Sequence, residues 1–286
     1  MKSLKRDQTI PVLTAAPAAL TVEPDEIFLL ECAGPMDKRY EAEKRGVPPY
    51  APAGNVVTGP VHVSGAAAGG AVAVEIMSLA PAGMGLVGRP GGLHEMPTDG
   101  VMVRFNEKLE FPYDPMLGCL GTAPAEGELD LSLCGDCGGN MDVADVGPGA
   151  TVFFPVFHEG GLLGAGDGHA RQGDGEIGGQ GVEIALDAVL RCRPVRKRLV
   201  DRPYLVRGGR LMVIGWGLTT DEAIVMANDD MVKVLVDHAG LAEWEAHKLI
   251  GIGGEMRLGQ VVCPTKTVRA VVPMSVFGGR LPLFDE

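Results

Sequence analysis

Three short polar doublets lie between residues 135 and 183, where glycine and polar residues are densest. Residues two apart in an extended chain point the same way, so each doublet can direct both side chains into one cleft. Converging Asp, Glu and His side chains are preferred ligands of Zn²⁺ and similar divalent ions. Spacing alone leaves two explanations open, a metal site or acidic surface turns, and the turns are the commoner outcome. The doublets are Asn140-x-Asp142, Asp167-x-His169 and Asp174-x-Glu176.

Among the six histidines, only His169 has carboxylates on both sides and one two residues before it. His94 lies in a glycine-rich, loop-like stretch and could line the mouth of a pocket. The other four fit structural or solvated positions in strands and helices. They are His62, His158, His238 and His247.

Cysteine supplies a competing chemistry. The six cysteines lack the spacing of a disulfide framework, and Cys134-Gly-Asp-Cys137 is a single CxxC without the second pair of a zinc ribbon or a thioredoxin-like context. Free thiols are the expected state, and Cys137 is kept as an alternative nucleophile. The sequence has no Gly-x-Ser-x-Gly elbow, phosphate loop or dinucleotide fingerprint, and its few serines argue against a serine amidase.

The elements that must position these residues are mostly strands. The 42 glycines and 21 prolines are interleaved with Val, Ile and Leu, a mixture typical of short strands joined by tight turns. Residues 45–55 and 81–100 are predicted as loops. The predicted fold class is mainly β, a β-sandwich or barrel-like body with a late α/β portion. Predicted strands cover residues 27–31, 60–64, 72–76, 101–105, 129–133, 151–156, 182–190, 204–206, 211–216 and 267–272.

A helical pair is predicted near residues 219–250. Thr219 and Glu222 have the spacing of a capping box, and apolar residues then recur at helical intervals. In the second helix Leu241, Trp244, Lys248 and Leu249 are predicted to lie on one stripe. We therefore predict a β-rich body over residues 1–200 that carries the site and an α/β portion over residues 201–286 packed on it, with a soft boundary near 202–210 or a single domain.

Charge and hydropathy exclude several classes of partner. The net charge of −12 argues against nucleic acid and anionic membranes. The basic run Arg191-Cys-Arg-Pro-Val-Arg-Lys-Arg198 fits a solvated sheet face. No run approaches the roughly 18 apolar residues of a membrane span, and the N-terminus makes a poor secretory signal. We expect a cytoplasmic protein with neither nucleic-acid nor membrane partners.

Six strings, in order along the chain, resemble the acetamidase/formamidase family, and the similarity extends from about residue 23 to 273. The chain departs from the family at Ala68-Gly-Gly70, where many relatives have Pro-Gly-Asp, in a loop at residues 48–55 that looks longer than usual, and at three cysteines. The strings are Asn55-Val-Val-Thr-Gly-Pro-Val-His-Val-Ser-Gly-Ala66, Gly121-Thr-Ala-Pro124, Gly138-Gly-Asn-Met-Asp142, Phe154-Pro-Val-Phe157, Gly166-Asp-Gly-His-Ala-Arg-Gln-Gly-Asp-Gly-Glu176 with Glu183, and Cys263-Pro-Thr-Lys-Thr-Val-Arg-Ala270.

The resemblance implies a metal-containing homodimer or larger homo-oligomer that hydrolyses small amides or lactams. The hypothesis has Asp142, Asp167 and His169, with Asn140, as ligands of a divalent ion, zinc first and calcium as an alternative. Glu176 is the predicted general base, with Asp174 grouped beside it. Gly138 or Gly173 amides are candidate oxyanion donors. Gly138, Gly139, His94 and Glu183 are predicted substrate contacts. Two alternatives stay open, a Cys137 nucleophile and a non-catalytic protein that binds cations or amides.

Overall fold

The structure is a computed structural model that describes residues 1–47, 54–278, 281 and 283. It confirms the mainly β class, since short strands joined by turns make up most of the described chain. The strands are β1 Lys2–Leu4, β2 Thr9–Ile10, β3 Val12–Thr14, β4 Leu20–Val22, β5 Ile27–Cys32, β6 Val57–Val63, β7 Ala71–Pro81, β8 Gly85–Arg89, β9 Gly92–Met96, β10 Met102–Arg104, β11 Glu110–Pro112, β12 Met116–Gly121, β13 Glu128–Asp130, β14 Cys134–Gly135, β15 Gly138–Asn140, β16 Thr151–Pro155, β17 Leu163–His169, β18 Leu186–Val195, β19 Tyr204–Arg207, β20 Arg210–Gly217, β21 Glu255–Leu258 and β22 Lys266–Pro273. The helices are α1 Asp37–Lys44, α2 Thr220–Ala239, α3 Glu243–Gly253 and a 3₁₀ turn at Met274–Phe277.

Two open sheets form the body. The larger has nine strands in the order β1-β5-β18-β7-β16-β19-β20-β22-β21, and the smaller has the order β14-β15-β12-β17-β6-β2 with β4 also paired to β6. Side chains from both sheets share one apolar core, for example Val72 and Ala188 of the larger with Val61 and Ala165 of the smaller. This packing is that of a sandwich rather than a closed barrel.

The helical pair covers the other face of the large sheet. Thr219 accepts a hydrogen bond from the Glu222 backbone N–H, the predicted capping box is complete, and α2 ends at left-handed Gly240. All of its buried residues except Ala223 join a second core that includes residues of β20 and β22. The predicted stripe of α3 is wrong at Trp244, which is 66% exposed, because the helix turns Ala246 inward instead.

Several boundaries differ from prediction. Residues 81–100, predicted as a loop, contain the β8–β9 hairpin, and the strand predicted over 182–190 begins only at Leu186. The strand β12 carried no prediction, because its glycines hide the usual enrichment in branched side chains. Of the predicted loop at 45–55, residues 48–53 lie outside the described residues.

The large sheet continues across residue 200. β16 pairs with β19, with Phe153 opposite Tyr204, and their rings stack at 4.6 Å between centroids. The division at residue 200 therefore stays a prediction. None of the described helices has the length and hydropathy needed to cross a membrane.

Candidate active site

Five ionisable side chains meet between the small sheet and the segment that links β17 to β18. We call them the carboxylate cluster. Asp142 follows β15, Asp167 and His169 belong to β17, and Glu176 and Glu183 lie in the segment after β17. Their exposed fractions are 2% for Asp142, 4% for Asp167, 1% for His169, 7% for Glu176 and 6% for Glu183.

Strand pairing explains why these side chains converge. β12 lies between β15 and β17, with Cys119 opposite both Asn140 and Gly166, and Met116 opposite His169. Gly118 is essential here, since a Cβ on it would lie 2.6 Å from Asp167 Oδ2 and even nearer Asp142 Oδ1. The strand can pass behind the carboxylates only because this residue has no side chain.

The backbone is held in an uncommon conformation at three members of the cluster. Asp142, Asp167 and Glu176 have φ values of 45°, 54° and 48°. Residues other than glycine rarely adopt positive φ, although Asp and Asn tolerate it better than most. Such strain concentrates at functional sites, where the surrounding fold maintains it.

His169 connects the two glutamates. Its Nε2 lies 3.1 Å from Glu183 Oε1 and 3.7 Å from Glu176 Oε1. An isolated β-bridge between residues 169 and 183 sets this distance. Glu176 Oε1 also accepts a hydrogen bond from the Gly181 backbone N–H at 2.9 Å. The second nitrogen, His169 Nδ1, is buried and has no hydrogen-bond partner among the described residues.

An amide-rich edge borders the cluster. Asn55 Nδ2 donates to Asp167 Oδ2 at 2.9 Å and to Asn140 Oδ1 at 3.0 Å, while Asn140 Nδ2 donates to Cys263 Sγ at 3.3 Å. Asn55, Cys119 and Cys263 were not predicted as site residues. The only signal for Asn55 and Cys263 was membership of the strings, and Cys119 lies outside them. No local spacing connects the three residues to residues 142–176.

The cluster has the composition and geometry to hold a metal ion. Within the described residues, three sets of ligand atoms each lie within 4.8 Å of one another. Asp142 Oδ1, His169 Nδ1 and Glu183 Oε2 are buried without a partner there. Buried polar atoms are normally satisfied, so these three are available as ligands. The sets are Asp142 with Asp167 and His169, Asp142 with Glu176 and Cys263, and His169 with Glu176 and Glu183.

The electrostatics also call for a cation. Burial raises the pKa of Asp142 well above its ordinary value, and the charge of Asp167 adds to the rise. Burial likewise raises the pKa of Asp167 to about 7 and raises that of Glu176. Burial would lower the pKa of His169, but the charge and hydrogen bond of Glu183 raise it well above its ordinary value. A bound cation would favour the ionised carboxylates.

Four predicted site residues lie apart from the cluster. Asp174 pairs with Arg269 at 2.7 Å and Arg257 at 3.0 Å, so the third doublet diverges in a turn instead of pointing one way. His94 lies on β9, and its Nε2 is 2.7 Å from the Phe105 carbonyl oxygen. Gly138 and Gly139 are buried in β15, where the strands pack too closely for a Cβ.

Both cysteines of the CxxC pair are buried. Cys137 is 2% exposed and packs in a small core with Leu13 and Leu131. Burial raises the pKa of the Cys137 thiol to about 12. Both cysteines are free, as expected.

Known proteins are similar to this chain in the region that forms the site. The model of the Acetamidase/Formamidase family matches residues 134–208, which include the whole cluster. A putative formamidase of Schizosaccharomyces pombe is 35% identical over 81 residues, which make up 28% of this chain and 20% of that protein. The aligned stretch thus spans only about a fifth of that relative.

Solved structures extend the likeness to nearly the whole chain. An acetamidase from Bacillus halodurans is 28% identical, with a TM-score of 0.89, over 98% of this chain and 100% of that one. A predicted acetamidase/formamidase from Thermoanaerobacter tengcongensis is 31% identical, with a TM-score of 0.91, over 98% of this chain and 99% of that one. On this full-length similarity, the chain belongs to the acetamidase/formamidase family of amidohydrolases.

Proposed function

We propose that the protein hydrolyses small carboxylic amides to acid and ammonia at the carboxylate cluster. The observation that carries the proposal is a buried set of four carboxylates and one histidine in which three ligand atoms lack partners among the described residues. Ionised carboxylates are too costly to bury without a compensating charge. The relatives named above support the reaction type.

The proposed ligands are Asp142, Asp167 and His169, with zinc as the first choice. His169 suits this role, because Nδ1 is free while Nε2 can donate to Glu183, the usual arrangement for a ligating histidine. Asn140 has both ends of its amide in hydrogen bonds, so we assign it to holding the cluster edge. A divalent ion bound there would polarise the amide carbonyl and make water a stronger acid.

Glu176 is the proposed general base. Its carboxyl is 7% exposed, and burial raises its pKa toward the range useful for proton transfer at neutral pH. The Gly181 N–H keeps one carboxylate oxygen in place. Glu176 would take a proton from the attacking water and deliver it to the leaving nitrogen, so that ammonia departs as a neutral molecule.

We assign Glu183 a positioning role, and its predicted contact with substrate stays a prediction. Its hydrogen bond to His169 Nε2 orients the imidazole and fixes which nitrogen carries the proton. Substrate contacts from Gly138, Gly139 and His94 stay predictions, as does an oxyanion donor at Gly138 or Gly173.

The two alternatives lead to different experiments. A Cys137 nucleophile would require a thiolate, which a pKa of about 12 makes scarce at neutral pH. A non-catalytic binding protein would bind amides without releasing ammonia. Thiol reagents would inactivate an enzyme with a Cys137 nucleophile, whereas chelators would inactivate the proposed metal-dependent enzyme.

The test is ammonia release by purified protein over formamide, acetamide, propionamide and a γ-lactam, with metal content measured by mass spectrometry. We expect turnover of at least one amide, loss of turnover after chelation, and recovery on adding Zn²⁺. Binding without ammonia release would overturn the proposed function. A cytoplasmic homo-oligomer is also proposed, and sedimentation analysis would establish its size.

A further inference from the structure

A second charged group lies beside the carboxylate cluster and contains none of its members. We call Arg257, Arg269, Asp145 and Asp174 the arginine network. Arg269 of β22 is fully buried, and its guanidinium pairs with Asp145 Oδ2 at 2.6 Å and Asp174 Oδ1 at 2.7 Å. It also donates to the Leu258 carbonyl oxygen of β21.

Each aspartate of the network is close in sequence to one member of the cluster. Asp145 comes three residues after Asp142, and Asp174 two residues before Glu176. Arg269 therefore joins the two segments that carry Asp142 and Glu176, both of which have positive φ. A strained backbone keeps its conformation only where the surroundings hold it.

Neighbouring hydrogen bonds connect the two segments to the antiparallel pair β21–β22 and the chain between these strands. Gly175 N–H donates to the Gly259 carbonyl oxygen at 2.9 Å. Thr267 Oγ1 donates to the Met141 carbonyl oxygen at 2.6 Å. These bonds anchor the backbone on either side of the network, whereas Arg269 spans the gap between the two segments with one rigid group.

We propose that Arg269 is a positioning residue that, through Asp145 and Asp174, fixes Glu176 relative to Asp142. That this placement matters for catalysis rests on the proposed function. That Arg269 holds Glu176 in place does not. Arginine is required because its planar fork can bind two separate carboxylates at once, which the single ammonium of lysine does less well.

Asp174→Ala is the first test, because the Asp174 side chain is 34% exposed against 15% for Asp145, so its loss should disturb the fold less than loss of Asp145. Asp187→Ala is the matched control, since Asp187 also pairs with an arginine at 2.7 Å and is 41% exposed, but lies in another part of the large sheet. Arg269→Lys tests the same ion pairs by changing the arginine instead of the aspartate.

One measurement needs no substrate. The Gly181 N–H donates to Glu176 Oε1, so hydrogen exchange at Gly181 reports directly on the position of that carboxylate. In the metal-free protein we expect about tenfold faster exchange at Gly181 in Asp174→Ala and Arg269→Lys, and no change in Asp187→Ala. Unchanged exchange in the first two variants would overturn the proposal.

The second measurement is steady-state kinetics on whichever amide the wild type hydrolyses. A displacement of about 1 Å at a reacting group can cost about 100-fold in rate, so we expect a 10- to 100-fold lower kcat for Asp174→Ala. KM and metal content should stay within twofold of wild type. A fall in metal content without faster exchange would contradict the positioning role. If wild type releases no ammonia, the proposed function fails, and the exchange experiment still decides the role of Arg269.

Discussion

The carboxylate cluster and the arginine network are neighbouring groups of charged side chains, but the network is balanced in charge and the cluster has an excess of carboxylates. The network pairs two arginines with two aspartates, so the protein supplies its own counter-charges. The cluster gathers four carboxylates around one histidine, His169, and leaves two of its oxygens, Asp142 Oδ1 and Glu183 Oε2, without partners in the described chain. The two aspartates of the network are only three and two residues from Asp142 and Glu176 along the sequence.

This difference separates a structural role from a functional one. A carboxylate that is paired with a buried arginine is satisfied and can hold a loop. A buried carboxylate that lacks a protein cation has a raised pKa and can bind either protons or a metal ion. Perturbed pKa values in the cluster, such as that of Asp167, therefore point to function, whereas Asp174 belongs to the supporting network.

The largest effect is expected from Glu176→Gln. Loss of a general base lowers kcat by about 10²- to 10⁴-fold, while the three proposed metal ligands remain. Ammonia release and metal content, measured on the same preparation, check this. The exposed Glu159→Gln should match wild type. If Glu176→Gln retained full kcat, the base assignment would be wrong.

The next prediction compares one aspartate from each group. Asp145→Asn should destabilise the metal-free protein by about 3 kcal/mol, because it leaves the buried Arg269 without one counter-charge. Asp142→Asn should not destabilise it, because the change removes a repelling charge at a position where Asn tolerates the positive φ. Urea unfolding of both variants measures this. Equal losses would mean that the two groups do not differ as described.

Gly118→Ala should disrupt the cluster through shape alone. The added methyl group would collide with the carboxylates of Asp142 and Asp167, at an overpacking cost of about 1–3 kcal/mol. Metal affinity should fall with stability. Gly178→Ala is the control, since a Cβ there meets nothing within 4 Å. Normal metal binding by Gly118→Ala would contradict the role given to this glycine.

The pH dependence follows from the raised pKa of Asp167. In the unfolded chain this group titrates near 3.8, and in the metal-free fold near 7. The folded state therefore holds a proton over that interval, and its contribution to stability is lost as pH rises from about 4 to 7. Thermal unfolding should show a lower Tm at pH 8 than at pH 5 without metal, and a smaller difference with Zn²⁺. A Tm that rises over this range in the metal-free protein would contradict the prediction.

The smallest effect is expected from Arg257→Gln. Arg257 contacts the same two aspartates as Arg269, but at 3.0 and 3.4 Å and with a side chain that is 32% exposed. Solvent-screened pairs contribute about 0–1 kcal/mol. Urea unfolding should place this variant near wild type, and high salt should reduce the difference further. A loss as large as that from Asp145→Asn would show that the network depends on both arginines equally.

Local patterns in the sequence were sufficient for some features. The capping box at Thr219 and Glu222 depends on residues three apart, and the structure contains it. The Asp167-x-His169 doublet lies in β17, and both side chains reach the cluster. The Asp174-x-Glu176 doublet does not behave this way, because a turn rather than a strand carries it and the two side chains diverge.

The sequence by itself determined the mainly β class and the helical pair, because residue types and short spacings carry that information. It named the members of the cluster through the longer strings shared with a family, since spacing alone favoured surface turns. Only the tertiary structure decided which acidic residues pair with an arginine and which surround His169 instead. The pairing of β12 with β15 and β17 brings Gly118 beside Asp142 and Asp167, and β22 brings Arg269 to Asp174. These contacts join residues that are 24 to 95 positions apart (118 to 142, 174 to 269), and no local pattern specifies strand order or register at that range.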